Sequence, residues 1–173
     1  MLRRKTVGKV LFSGFHGTNI SSASEIMSSR KFILSNSKND WLGPGIYFYY
    51  NFNDAWNWRD SDAVVLAILR VDEKSILDLD TDEGKEALSE AENHLCKKLN
   101  ITLDKDAEQN QCSIAKVIWD SKPQLELMTA SFAVTKRAHK TLIDTRKRRK
   151  EFCIRNNTPI KYLHMIKKGD VNE

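Results

Sequence analysis

Three short segments hold the residues best suited to chemistry: Phe15-His16-Gly17-Thr18, Trp41-Leu42-Gly43-Pro44-Gly45-Ile46-Tyr47-Phe48 and Glu151-Phe152-Cys153-Ile154-Arg155-Asn156. They supply an imidazole beside a glycine, a tyrosine in an aromatic run, and a carboxylate directly after the basic tract Arg146-Lys147-Arg148-Arg149-Lys150. A glycine lets backbone approach a ligand closely. Aromatic faces hold a flat cation by stacking and cation–π attraction, worth about 0.5–2 kcal/mol per face. A carboxylate stabilises positive charge as a bond breaks and can orient or deprotonate an attacking group. Metal chemistry is not expected, because His16, His94, His139 and His164 form no HExxH and no ligand-spaced pair with a cysteine. Cys96, Cys112 and Cys153 include no CxxC and read as reduced structural thiols. GxGxxG and GxxxxGK[ST] are both missing, so a nucleotide site must be built another way.

Taken together, these segments resemble the His-Tyr-Glu class of ADP-ribosyltransferases, which includes the poly(ADP-ribose) polymerase catalytic domains and several bacterial toxins. The chain is more similar still to compact toxin-like members that run HGT, WLGxGIYF, a downstream tryptophan and a late strand of the pattern I-Q/E-x-x-V-R-N. The likeness covers roughly residues 10–80 and 150–166. It implies an α+β fold of two packed antiparallel sheets around a cleft for bent NAD⁺, which is the substrate, and a catalytic set of His16, Tyr47 and Glu151 without a metal. His16 would hydrogen-bond the adenosine ribose. The Gly17 backbone would hold the nicotinamide carboxamide, with Thr18 supporting that turn. Tyr47 and Trp58 would wall the nicotinamide ring, and Glu151 would bond the nicotinamide ribose and stabilise the oxocarbenium-like state. The implied activity is transfer of one ADP-ribose to a macromolecule, as in a toxin or phage-defence effector held by an antitoxin partner. The acceptor stays open between nucleic acid and protein. An NAD⁺ glycohydrolase would use the same residues and pass ADP-ribose to water. An inactive ADP-ribose or nucleic-acid binding module is disfavoured by the presence of both His16 and Glu151.

Each residue also has a plainer reading. His16 alone could be a satisfied polar residue at a strand end, Tyr47 and Trp58 could be core anchors, and Glu151 a solvated charge opening a strand. Gln124-Leu125-Glu126 matches the Q-x-E pattern of the other large ADP-ribosyltransferase class. That class also needs an early strand arginine and an S-T-S strand, which are not in place, so Glu126 reads as a helix-surface residue. The basic tract is expected to keep Glu151 ionised. Its Arg146, Lys147, Arg148 and Arg149 could grip acceptor phosphates, or they could be a solvated loop beside an unrelated strand.

The elements that must position these groups follow from pattern. Val7 to Phe15 is β-prone and leads into His16-Gly17-Thr18. Ser22-Ala23-Ser24-Glu25 has capping-box spacing for a short helix ending near Ser29. Asn36 to Pro44 reads as a loop, and Gly45 to Tyr50 as a strand. Asn53-Asp54 can cap a short helix carrying Ala55, Trp56 and Trp58. Ala63 to Val71 reads as a strand buried on both faces, with Ile76 to Leu79 a shorter candidate. Ala87, Leu88, Ala91, Leu95 and Leu99 recur at helical spacing within Asp82 to Leu99. Asn100 to Gln111 reads as polar connection, Ser113 to Trp119 and Leu125 to Ala133 as short helices, and Phe152 to Ile154 and Ile160 to Ile166 as strands. Residues of about 82–143 then form a helical insertion in a single domain spanning 1–173.

Bulk properties agree with a globular chain. Its 173 residues can bury roughly 70% of the surface exposed on unfolding. With 40% hydrophobic and 29% charged residues it has neither a disordered nor a membrane composition. No apolar run approaches the roughly 20 residues that span a bilayer. Met1-Leu2-Arg3-Arg4-Lys5 is a basic start without the apolar stretch of a signal peptide, so a cytoplasmic location without membrane partners is expected. The net charge of +5 favours polyanionic partners.

Overall fold

β-branched and aromatic residues dominate the first strand, β1 (Lys9–Thr18), which runs straight through His16, Gly17 and Thr18 instead of ending before them. The computed structural model describes residues 8–37, 40–59, 61–99, 108–133, 148–167 and 169–170. After β1 come α1 (Ile20–Ser29), β2 (Ile46–Tyr49), α2 (Phe52–Trp56), β3 (Ala63–Asp72) and β4 (Ile76–Asp78). There follow α3 (Asp82–Leu99), α4 (Glu108–Ser121), β5 (Leu127–Ala133), β6 (Arg148–Ile154) and β7 (Ile160–Lys167). No helix among the described residues is long and apolar enough to cross a membrane.

The α+β class holds, but the strands form one seven-stranded sheet in the order β4-β5-β6-β2-β1-β3-β7, where two packed sheets were expected. The sheet is nevertheless pinched in the middle. β1 is registered with β3 along its whole length, from Lys9 opposite Asp72 to Thr18 opposite Ala63. With β2 it shares one registered pair, Phe15 opposite Tyr49. Two wings therefore meet at a narrow seam. All pairings are antiparallel except β4 with β5, and the α3–α4 pair supplies the crossover that parallel neighbours require.

Several expectations need correction. The helix cap before α1 is Asn19, whose side chain accepts from Ser22 N–H at 2.8 Å, so Ser22 is itself a first-turn residue and no Ser22–Glu25 capping box forms. Asn51 caps α2 in the same way, which puts Asn53 and Asp54 inside that helix and Trp58 beyond its end. Leu125 to Ala133 is not a helix. Most of it is β5, flanked by β4 and β6, with Leu127, Met128 and Ala130 buried on alternate faces. Strands buried on both sides lose the alternation that would mark them. The segment of about 82–143 is thus not a purely helical insertion, since it contributes a strand to the sheet; residues 134–143 lie outside the described residues. Asn100 to Gln111 is not all connection either, because α4 begins at Glu108.

The core sits on both faces of the sheet. One cluster, under α1, joins Ile26, Phe32, Phe48, Val65, Leu69 and Phe152. The other, under α3 and α4, joins Leu42, Leu77, Ala91, Ile118, Met128 and Cys153. The phenyl rings of Phe48 and Phe152 stack at 5.1 Å and lie directly over Gly14 of β1. A Cβ at that position would be 2.3 Å from the Phe152 ring and 2.8 Å from Phe48 Cβ. Gly14→Ala should therefore cost about 1–3 kcal/mol through forced repacking. Urea titration should show a lower midpoint with an unchanged slope, and a wild-type midpoint would refute this account of the seam.

Candidate functional site

The seam is where the sequence motifs meet. Thr18 C=O accepts from Asp62 N–H and Gly8 C=O from Glu73 N–H, so the even-numbered residues of β1 turn their peptide groups toward β3. Phe15 and Gly17 turn theirs toward β2. Tyr50 N–H donates to Lys150 C=O, which by the same alternation points the Tyr47 carbonyl back at β1. That carbonyl accepts a hydrogen bond from His16 Nδ1 at 2.9 Å. An imidazole thus takes an acceptor that a continued ladder would use, and among the described residues Gly17 has no registered partner on β2.

Burial holds the His16 pKa below the ordinary histidine value, partly offset by the bond to Tyr47. The ring is neutral at physiological pH, with its proton on Nδ1 and a lone pair on Nε2. Its edges pack against Phe32 at 5.1 Å and Phe48 at 6.0 Å. His16 therefore lies on the α1 side of the sheet. Gly17 faces the other way and is buried under α2, where a Cβ would sit 2.0 Å from the Ala55 carbonyl oxygen. Close packing of α2 on β1 is enough to require glycine there. Thr18 closes the strand opposite Ala63.

Tyr47 is fixed from its far end. Its hydroxyl donates to Gly43 C=O at 2.7 Å and accepts from Leu42 N–H at 2.9 Å, which ties β2 to the loop before it. Burial raises its pKa well above the ordinary tyrosine value, so the hydroxyl stays protonated. Its ring packs with the cluster under α3 and α4. Trp58 lies 5.9 Å from Tyr49, the next residue on that face of β2, and is partly exposed. The aromatic partner of Trp58 is thus Tyr49 rather than Tyr47.

Glu151 of β6 stands opposite Tyr49 in register and shares its face. Arg149, two residues earlier on that strand, lies over the Tyr49 ring at 5.1 Å, 4.0 Å from the Glu151 carboxylate and 3.6 Å from Asp54 of α2. All three charged side chains are at most about one-fifth exposed. The expectation that the basic tract keeps Glu151 ionised fails. Burial pushes its pKa up from 4.5 to about 7; the Arg149 guanidinium offsets this in part, and Asp54 adds to it. Arg149 is too far inward to be a solvated phosphate grip, and Lys150 is paired with Asp78 at 2.7 Å and Asp80 at 3.4 Å. Arg148 is exposed, while Arg146 and Lys147 lie outside the described residues.

Glu126 precedes β5 and is not on a helix surface. Its N–H donates to Ser75 C=O and its C=O accepts from Arg155 N–H. In register it falls at the far end of the β5–β6 pair, four positions from the Ala130–Glu151 pair, or about 13 Å along the strand. A groove of about 420 Å³ between α3 and α4, lined by Glu90, His94 and Asp120 among others, is separate from Glu151.

No family model matches the chain. No solved structure matches it. Over 44 residues it is 46% identical to a protein of Methanocaldococcus jannaschii described as uncharacterized. That match spans 25% of this chain and 21% of the relative, so the shared stretch is a small part of both.

The structure joins His16 to the backbone of Tyr47 and gathers Glu151, Arg149, Tyr49, Asp54 and Trp58 on the α2 side. It does not place the side chains of His16, Tyr47 and Glu151 in one contact group. Asp54 and Tyr49 were missed in the sequence. Tyr49 could have been found from the two-residue period that links it to Tyr47, whereas Asp54 gave no signal beyond its place in a short helix.

The raised Glu151 pKa has a consequence for stability. Because the folded-state value lies above the unfolded one, the stabilisation from proton uptake is complete below about pH 4.5 and is lost as pH rises to about 7. Glu151→Gln removes this penalty. It should stabilise the protein by on the order of 2 kcal/mol at pH 8, and the gain should vanish near pH 4. Thermal or urea unfolding across this range checks the sign, and a destabilised variant at pH 8 would show that the carboxylate is a structural ion-pair partner.

Proposed function

We propose that the protein is an ADP-ribosyltransferase that cleaves NAD⁺, releases nicotinamide and transfers ADP-ribose to a macromolecular acceptor. The observation that carries this reading is a half-buried carboxylate, Glu151, set opposite Tyr49 and beside Arg149 and Asp54, with its pKa raised to about 7. Support comes also from the His16–Tyr47 link, since these two positions and Glu151 are those the sequence likeness singles out. The finer attribution to the ADP-ribosyltransferase fold, with its two sheets and cleft, is part of the proposal. The pinched seam is what favours it.

In the proposed step the bond between the ribose C1′ and the nicotinamide nitrogen breaks. Its electron pair goes to the nitrogen and leaves neutral nicotinamide, and positive charge develops on the ribose. A carboxylate in a poorly hydrated site stabilises that charge far more than one in water. The acceptor then bonds to C1′ and gives up its proton, for which a base with a pKa near 7 is well matched. Neutral His16 can accept a hydrogen bond from a ribose hydroxyl through Nε2. Trp58, exposed and with Arg59 over its ring at 4.9 Å, is the aromatic group on this side that can offer its other face to the flat nicotinamide cation.

The rate should depend on ionised Glu151, so kcat/KM for cleavage of labelled NAD⁺ should rise with pH around a midpoint near 7. Glu151→Ala should abolish turnover while leaving the NAD⁺ Kd within about threefold of wild type. Glu126→Ala should leave both unchanged. Turnover that survives in Glu151→Ala and is lost in Glu126→Ala would move the catalytic role to the other carboxylate. Incubation of the protein with labelled NAD⁺ and a lysate assigns the acceptor by whether label enters protein, RNA, DNA or free ADP-ribose; the last outcome would make it a glycohydrolase.

Trp58 is expected to touch the nicotinamide. Its replacement by Ala should weaken NAD⁺ binding roughly three- to thirtyfold, matching the loss of one aromatic face. Indole fluorescence of the wild type, compared with Trp58→Phe, isolates its response to NAD⁺. Emission from Trp58 that ignores saturating NAD⁺ would remove this residue from the site.

A further inference from the structure

Two buried or half-buried carboxylates, Asp54 and Glu151, flank one guanidinium. Arg149 Nε lies 3.6 Å from Asp54 on α2, and Nη1 lies 4.0 Å from Glu151 on its own strand. The guanidinium also covers the Tyr49 ring from β2. Its Nε is buried without a hydrogen-bond partner, so the group is held by charge, by the ring and by a hydrogen bond to Tyr49 rather than locked in a two-pronged pair with either carboxylate. Asp54 is itself only 7% exposed, on a helix that packs against β1 and β2.

We propose that Asp54 is a positioning residue, which draws Arg149 toward α2 and so prevents the guanidinium from closing on Glu151 as a full ion pair. Glu151 is then left with an incompletely neutralised carboxylate that can turn to the substrate. Without Asp54, Arg149 swings the short distance to Glu151, and the two form a bidentate pair of the kind arginine and carboxylate favour. The inference rests on Glu151 being the group that meets the substrate, but the arrangement of the three charges can be read without any substrate. Among the described residues, the ionisable or charged groups facing Glu151 are Tyr49 from β2, Arg149 from its own strand and Asp54 from α2. Its neighbour on β5 is Ala130, which carries no charge.

The test is a carboxyl-carbon NMR titration of the full chain labelled at glutamate, with the Glu151 signal identified by its loss in Glu151→Gln. The wild-type midpoint should lie near 7. In Asp54→Asn it should fall by about one pH unit or more, as expected for a carboxylate gaining a close guanidinium. In Arg149→Gln it should rise above wild type. Adding Asp54→Asn to Arg149→Gln should produce less than half the fall seen in the wild-type background, because the guanidinium that carried the effect is gone. An unchanged or higher midpoint in Asp54→Asn overturns the proposal, as does an undiminished fall in the double variant, which would make Asp54 a bare charge. If Asp54→Asn fails to fold by circular dichroism, Arg149→Gln decides, and a midpoint that does not rise overturns it. In NAD⁺ cleavage Asp54→Asn should lower kcat roughly tenfold with KM nearly unchanged, and should shift the acid limb to lower pH. A wild-type protein that does not cleave NAD⁺ defeats the proposed function and leaves the titration result to stand or fall alone.

Discussion

The hydrogen bond from His16 Nδ1 to the Tyr47 carbonyl is the contact on which the arrangement of the site depends. Backbone carbonyls inside a sheet are ordinarily satisfied by the neighbouring strand, and leaving one unpaired costs about 1–3 kcal/mol. Here a side chain does what a strand would do, so β1 and β2 can part after a single registered pair without stranding the Tyr47 carbonyl. The registered ladder between the two wings of the sheet is limited to that pair. Gly17, whose peptide groups face the parting, is at the same time pinned by Ala55 of α2. The neutral state of His16 has a different cause, burial of the ring, against which the bond to the Tyr47 carbonyl acts in part.

Charge on the other side of the seam is arranged differently. Lys150 meets Asp78 and Asp80 in a well-matched surface cluster, and Asp80 is further held by Ser131, with a pKa below the ordinary carboxylate value. Arg149, its neighbour in sequence, turns to the opposite face and is shared by two carboxylates at longer distances. Alternation along β6 thus sets Arg148 and Lys150 on one face and Arg149 on the other. The tract reads as a block in one dimension, but only the strand period decides which charges can reach a polyanion.

Much of the architecture was legible because it rested on local chemistry. The β-prone runs became β1, β2, β3, β6 and β7, and the apolar stripe from Ala87 to Ala91 became the buried face of α3. The failures share a cause, which is dependence on partners distant in sequence. β5 is a strand because β4 and β6 flank it, and its own residues, apolar on both faces, could equally have been a helix. Asn19 and Asn51 outcompete Ser22 and Asn53 as caps because the preceding strands deliver the chain to those asparagines. The candidate site is read from the sequence as three motifs, but the face on which each side chain lies is not. His16 and Glu151 point to opposite sides of the seam because register between β1, β2 and β6 is set by pairing, which no single segment encodes.

The motif residues do not bear equally on function. Gly17 is required by the close approach of Ala55. His16 is required to satisfy the Tyr47 carbonyl, and the Tyr47 hydroxyl to secure the loop at Leu42 and Gly43. That loop is held again by Trp119, whose indole N–H donates to Leu42 C=O at 2.7 Å, and Trp119 C=O accepts from Arg155 in turn. Each of these side chains has a structural return that would retain it in a protein with no chemistry at all. Glu151 has none of comparable size. Its backbone carbonyl accepts from Thr129 Oγ1, a bond that any residue at that position would provide. Its carboxylate reaches Arg149 only at 4.0 Å and is driven by burial toward protonation, so the ionised form is a net burden on the fold near neutral pH. A residue whose charge the fold does not need, set beside the Tyr49 ring at a pKa suited to proton transfer, is where a functional reading has the most physical content.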